Sequence, residues 1–363
     1  MGHRAPHIGV CGRFVDWVLS KQPGNVPCSF NQCQLNRITV RNTKIFIICF
    51  ILGTLAAGFV LQDVWRQHRK YAREHLYLNN IKLAWPSSGQ AAFACVDRGV
   101  TARSSHQEDL RPIASVAKII TALAIMKKQP FDGQKGETYT VSDSDVQRYK
   151  AYKAERCSVL PLRKGMKLTQ YQAMQRMLIA SDNNMADLLT ERIFGSRKAY
   201  LEYARNMLRS MQLERTLVVD ATGLSPATVS TPSELVVLGT AALRNKIIAE
   251  IVGQKQATLP GIGVIRNTNQ LLGTNGVIGI KTGTTGRAGS CLLFASSFRN
   301  GEGEQVVIVA AVMGSKDHRT LYRDSRSLIS SAKKAIVLPG WQRRSFSQQK
   351  DAAHNYSTSN PQK

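Results

Sequence analysis

The chain has 363 residues, of which 43% are hydrophobic and 20% charged. That length exceeds a single small module, and that composition excludes global disorder. Lys plus Arg number 49 against 24 Asp plus Glu, a formal charge of +25. The balance points to anionic partners: nucleic acid, acidic lipid or an anionic wall. No Cys₂His₂ spacing or RNP-type aromatic run appears, so no nucleic-acid partner is expected.

Residues 1–44 are basic and irregular. Cys11, Cys28 and Cys33, with His3 and His7, fit no zinc pattern well. Seven widely spaced cysteines do not make a disulfide framework. Residues 45–61 (IFIICFILGTLAAGFVL) carry no charge and sit at the lower length limit of a membrane-spanning helix. Trp65 suits the interface just beyond. A long N-terminal lead and no small-x-small cleavage site argue against a cleaved signal peptide, so the run is expected to be a transmembrane signal-anchor. Arg37, Arg41 and Lys44 precede it and Arg66, Arg69, Lys70 and Arg73 follow, so flanking charge does not set its orientation. Residues 62–80 read as a polar stalk, 81–338 as the globular region and 339–363 as a polar, disordered tail.

Within the globular region, Ala91–Val96 reads as a buried strand and Ala114–Met126 as a buried helix. Leu168–Ala180, opened by Thr169, and Asn184–Ile193 follow with helical spacing, and Lys198–Met211 is a further periodic helix. Val218–Leu224 reads as a strand running into a turn. Thr231-Pro232 is an N-cap followed by proline in the first turn of a helix. Val277–Lys281, Cys291–Ser297 and Val306–Met313 read as strands, and Leu328–Val337 as a closing helix. One early strand, three late strands and helices between them predict an α+β fold: an antiparallel sheet flanked by helices, with a helical subdomain.

Neither His-Glu-x-x-His nor Gly-x-Ser-x-Gly occurs, which disfavours zinc peptidases and α/β-hydrolases. Three other short motifs stand in order: Ser115-x-x-Lys118, Ser181-x-Asn183 and Lys281-Thr282-Gly283. Ser-x-x-Lys recurs at Ser330, Ser331 and Ser347, and Ser-x-Asn at Ser29; only Lys-Thr-Gly is single. Context separates the first set, because Ser115 opens a strongly apolar helix. Taken singly, Ser115 and Ser181 read as N-caps and Lys118 as a snorkelling side chain. In order and in context they read as one site.

The chemistry fits each position. A serine hydroxyl needs a base, and a lysine serves if burial and nearby positive charge lower its pKa. Lys118 lies one turn from Ser115, and Lys281 could supply the second charge. Ser181 can bridge the two lysines and pass a proton to a leaving amine. Asn183 offers an amide to a peptide backbone. Lys281, Thr282 and Thr284 suit a free carboxylate, and Gly283 lets substrate approach the strand edge.

These motifs, with residues 111–118 (RPIASVAK), 177–186 (MLIASDNNMA), 220–224 (DATGL) and 279–289 (GIKTGTTGRAG), resemble the serine-type D-alanyl-D-alanine carboxypeptidases, the low-molecular-mass penicillin-binding proteins. The resemblance covers about residues 81–338 and implies a β-lactamase/transpeptidase-like catalytic domain. It implies that Ser115 attacks the carbonyl between two terminal D-alanines of peptidoglycan pentapeptide stems and forms an acyl-enzyme. Lys118 would be the base, Ser181 the proton relay and Lys281 a carboxylate holder, with backbone N–H groups of Ser115 and Thr284 as the oxyanion hole. β-Lactam antibiotics would acylate the same serine, and no metal or organic cofactor is implied. The catalytic domain would then lie outside the cell membrane, extracellular or periplasmic, held by the single N-terminal helix.

The sequence departs from the family at Asp182, where glycine is frequent, and the arginine that members use for the substrate carboxylate aligns only loosely with Arg319 or Arg323. Two other readings stay open. A class A-like β-lactamase needs a general-base glutamate, for which Glu202 and Asn206 have suggestive spacing. A non-catalytic, membrane-tethered wall-binding protein would carry a degenerate site.

Overall fold

The computed structural model of the chain describes residues 83–96, 100–104, 108–299 and 303–337. All of them belong to one compact unit, Leu76–Lys363. The expected signal-anchor at 45–61, the N-terminal cysteines, the stalk and the tail lie outside the described residues.

The architecture is α+β. Five strands form an antiparallel sheet in the order β2-β1-β11-β10-β9. They are β1 (Gln90–Cys95), β2 (Val100–Arg103), β9 (Val277–Thr285), β10 (Gly289–Arg299) and β11 (Gln305–Ser315). Side chains alternate between two buried faces. Val309, Ala311 and Met313 of β11 enter one core, and Val306, Ile308, Ala310 and Val312 the other. A sheet covered on both sides explains why these strands are continuous apolar runs.

The second face is covered by α8 (His318–Val337) through Leu321, Tyr322, Leu328, Ile329, Ala332 and Ile336. The first is covered by the helices inserted between β2 and β9. These are α1 (Lys118–Lys128), α2 (Asp143–Ala154), α3 (Gln170–Ile179), α4 (Asn183–Phe194), α5 (Arg197–Ser210), α6 (Pro232–Arg244) and α7 (Lys246–Val252). Short pairs β3–β6 (Arg111–Pro112 with Val229–Ser230), β4–β5 (Thr138–Thr140 with Lys167–Thr169) and β7–β8 (Gln256–Leu259 with Gly263–Arg266) tie the insertion together. Helix starts follow the local chemistry: Thr169 and Gln172 form a capping box, and Thr231 accepts from the Glu234 N–H with Pro232 behind it.

Three expectations are corrected. The Ala114–Met126 helix is a 3₁₀ turn over Ala114–Ala117 followed by α1, so the regular helix starts at Lys118. Val218–Leu224 is a loop, not a strand, and only Leu217 bridges to Val229. The buried Asp220 carboxylate accepts from the Thr222 and Thr228 hydroxyls and from the N–H groups of Leu224 and Ser225, which pulls the chain out of any ladder. The closing helix starts at His318 rather than Leu328, with the Asp317 carboxylate accepting from the Thr320 N–H.

Candidate active site

Ser115 sits second in the 3₁₀ turn, half-buried, with Ala114, Val116 and Ala117 buried around it. In a 3₁₀ turn residues i and i+3 eclipse. Lys118 therefore falls directly against Ser115, and its Nζ lies 2.8 Å from the serine Oγ. Neither residue matches the bland readings: Ser115 caps no helix, and Lys118 is 0% exposed rather than snorkelling.

The Lys118 ammonium also donates to Asn183 Oδ1 at 2.7 Å and to the Thr222 carbonyl at 2.9 Å. An ammonium has three donors, and each has an acceptor here. Burial lowers the Lys118 pKa to about 8, while the Asp220, Asp182 and Asp187 carboxylates pull it the other way. The group is thus poised to lose its proton slightly above neutral pH, which lets it accept one from Ser115.

The second motif follows the C-terminus of α3. Ser181 has φ 61°, the left-handed region that costs a non-glycine residue about 1–3 kcal/mol. Asp182, not Ser181, is the N-cap of α4, accepting from the Asn184 N–H. Asp182 is fully buried against Arg176, Oδ2 to Nη2 2.7 Å. Burial raises its carboxyl above the ordinary value, opposed by the guanidinium. The hydrogen bond from this motif to Lys118 is made by the Asn183 amide oxygen, further along the turn than Ser181. Ser181 itself is 5% exposed.

The third motif lies on β9, the edge strand. Lys281 is buried, and its Nζ donates to the Thr282 carbonyl at 3.0 Å. Burial, then the charge of Lys118, lowers its pKa well below the usual lysine value. Gly283 has a structural use beside the expected one. A Cβ there would come within 2.8 Å of the Ile113 carbonyl and the Ser115 N–H, so the missing side chain admits the nucleophile turn. The Thr282 hydroxyl is engaged with the Thr268 hydroxyl at 2.7 Å, and Thr284 is exposed at the strand end.

Sequence reasoning gave no role to the 220–224 loop, although it supplies the Thr222 acceptor for Lys118. Its signal is Gly223, with φ 78°, where a Cβ would meet the Ala114 carbonyl at 1.8 Å. Arg176 was missed because nothing in a helical run marks one arginine as fully buried. Glu202 and Asn206 both lie exposed on α5. Among the described residues no group of three His, Cys, Asp or Glu could hold a metal ion.

The sequence profile of the D-alanyl-D-alanine carboxypeptidase family matches residues 97–317. The chain is 27% identical over 265 residues to a D-alanyl-D-alanine endopeptidase of Escherichia coli, covering 70% of this chain and 79% of that protein. It is 26% identical over 227 residues to the D-alanyl-D-alanine carboxypeptidase DacB2 of Mycobacterium tuberculosis, covering 61% of this chain and 73% of that one. The fold is similar to that of a Streptomyces DD-transpeptidase, with a TM-score of 0.62 and 21% identity over 70% of this chain and 99% of that chain.

Proposed function

The chain belongs to the D-alanyl-D-alanine carboxypeptidase family and is a serine D-Ala-D-Ala peptidase acting on peptidoglycan, and from that premise we propose how its own residues work and which bond it cuts. The observation that carries the reading is the Ser115 Oγ to Lys118 Nζ contact of 2.8 Å, made by a fully buried lysine. Lys118, once deprotonated, takes the hydroxyl proton as Ser115 Oγ attacks the carbonyl carbon of the penultimate D-alanine. The tetrahedral centre collapses to an ester on Ser115. The departing amine receives a proton through Ser181, and water then releases the shortened stem. The N–H groups of Ser115 and Thr284 hold the oxyanion. Lys281, Thr282, Gly283 and Thr284 line the side where the terminal carboxylate rests, and Asn183 both seats Lys118 and meets the stem backbone. β-Lactam antibiotics acylate Ser115 by the same attack.

The finer reading is carboxypeptidase action, removal of the terminal D-alanine. A second reading is favoured by relatives named endopeptidases: cleavage of the D-alanyl bond in a cross-link. Incubating the protein separately with pentapeptide monomers and cross-linked dimers decides between them. Free D-alanine from monomers supports the first, and dimer-to-monomer conversion without free D-alanine supports the second. For placement, the apolar run 45–61 supports a single-pass signal-anchor with stalk 62–80, a catalytic domain over 81–338 on the outer side of the cell membrane, and a polar tail over 339–363. Recovery of the protein in the soluble fraction after cell breakage, at low and high salt, would contradict that placement.

A further inference from the structure

The Arg176–Asp182 pair is the most deeply buried ion pair among the described residues, with both side chains 0% exposed. It stands beside the catalytic groups without touching them. Arg176 Nε donates to Asp182 Oδ2 at 2.8 Å, and Nη2 reaches the same oxygen at 2.7 Å. That Nη2 also donates to the carbonyls of Leu160 at 2.9 Å and Pro161 at 3.2 Å. The other carboxylate oxygen accepts from the Asn184 N–H, and the Asp182 N–H donates back to the Arg176 carbonyl.

One guanidinium therefore ties three pieces of chain: the end of α3, the Ser181–Asn183 turn and the 158–161 segment. A second link runs the same way, because the Asn183 N–H donates to the Ser158 carbonyl at 2.9 Å. Asn183 in turn accepts from the Lys118 ammonium, so this segment is linked to the reaction centre through one residue. The turn being held is a strained one: Ser181 keeps φ 61°, which persists only where surroundings over-determine it. Stability alone is a poor reason for such a pair, since a buried ion pair replaced by apolar groups is often no less stable.

We propose that the buried Arg176–Asp182 pair is a positioning device that sets the Ser181–Asn183 turn, and the 158–161 segment bonded to it, against Lys118. Glycine at position 182 would leave that turn to other contacts, so this chain solves the positioning with charge. The inference rests on reading Ser181 and Asn183 as site residues.

The test uses the full chain and a fluorescent penicillin as probe, with the second-order labelling rate followed against pH beside the melting temperature. Arg176→Met alone melts much lower, because it strands the Asp182 carboxylate. The double variant Arg176→Met/Asp182→Gly recovers the melting temperature but labels about tenfold or more slowly, with a displaced pH profile. A double variant that melts, labels and titrates like the unaltered protein overturns the proposal. Arg176→Lys serves if the double variant does not fold. It keeps the charge but loses the fork to the Leu160 and Pro161 carbonyls, and should speed hydrogen exchange at the Asn183 amide and slow labelling. Unchanged exchange and labelling overturn the proposal equally. Ser181→Ala separates the two levels: if it labels normally, the reading of Ser181 fails; if it is inactive while the double variant is normal, only the positioning claim fails.

Discussion

Lys118 concentrates the chemistry of the site in one amine with three acceptors and no water-exposed surface. As an ammonium it donates to Ser115 and cannot take the serine proton. Acylation needs the neutral form, so its rate constant should rise with pH and level off above about 8, the lowered Lys118 value. Labelling with fluorescent penicillin from pH 5 to 9 checks this, and a flat profile contradicts it. Lys118→Met removes the base and keeps the volume, and should cut acylation by roughly 10²–10⁴ while the protein still folds. Ser115, Lys118 and Lys281 were legible because a helix opening, a one-turn spacing and a single Lys-Thr-Gly are local facts. The Asn183–Lys118 bond was not, because which side chain of a short turn faces Lys118 depends on backbone angles that the residue types do not state.

At the scale of elements, the site is made where the 3₁₀ turn abuts β9. Gly283→Ala would put a methyl 2.8 Å from the Ser115 N–H and push the turn off the strand. Penicillin labelling should fall at least about tenfold, with a smaller loss of stability. The helices legible in the sequence are those with an apolar stripe. Helix α2 has only a short one, Val146 and Tyr149, partly buried against the core, and its one fully buried residue is Asp145. It is held as well by the capping box with Ser142 and by Arg192, whose Nη2 lies 2.7 Å from the Asp145 carboxylate. Asp145→Ala should therefore destabilise the protein by about 1–3 kcal/mol in denaturant unfolding. The first half of α8 was hidden for a related reason, since Thr320, Asp324 and Ser325 face inward among its apolar residues. Val218–Leu224 failed in the opposite sense: its β-branched start suggests a strand, but the Asp220 carboxylate folds it on itself.

At the scale of the molecule, a sheet buried on both faces carries β9 at one edge, and the inserted helices bring Ser115, Asn183 and the 220–224 loop to that edge. The continuous apolar runs made the strands of this sheet readable, whereas its strand order required the coordinates. The convergence has a thermodynamic signature. Burial lowers the Lys118 pKa to about 8 in the folded protein from the ordinary lysine value of about 10.5, so between those values the unfolded chain binds more protons and stability rises with pH. Below about 8 both states are charged and the cost of burying the ammonium is felt in full. The melting temperature of the unaltered protein relative to Lys118→Met should therefore climb between pH 8 and 10, and a constant difference would contradict the assignment. The central claim, that Ser115 is the nucleophile, is tested most directly by mass spectrometry of the protein after penicillin treatment. The account predicts one covalent adduct on the peptide containing Ser115, and none on the Ser115→Ala protein. An adduct on another peptide, or one that persists in Ser115→Ala, would contradict it.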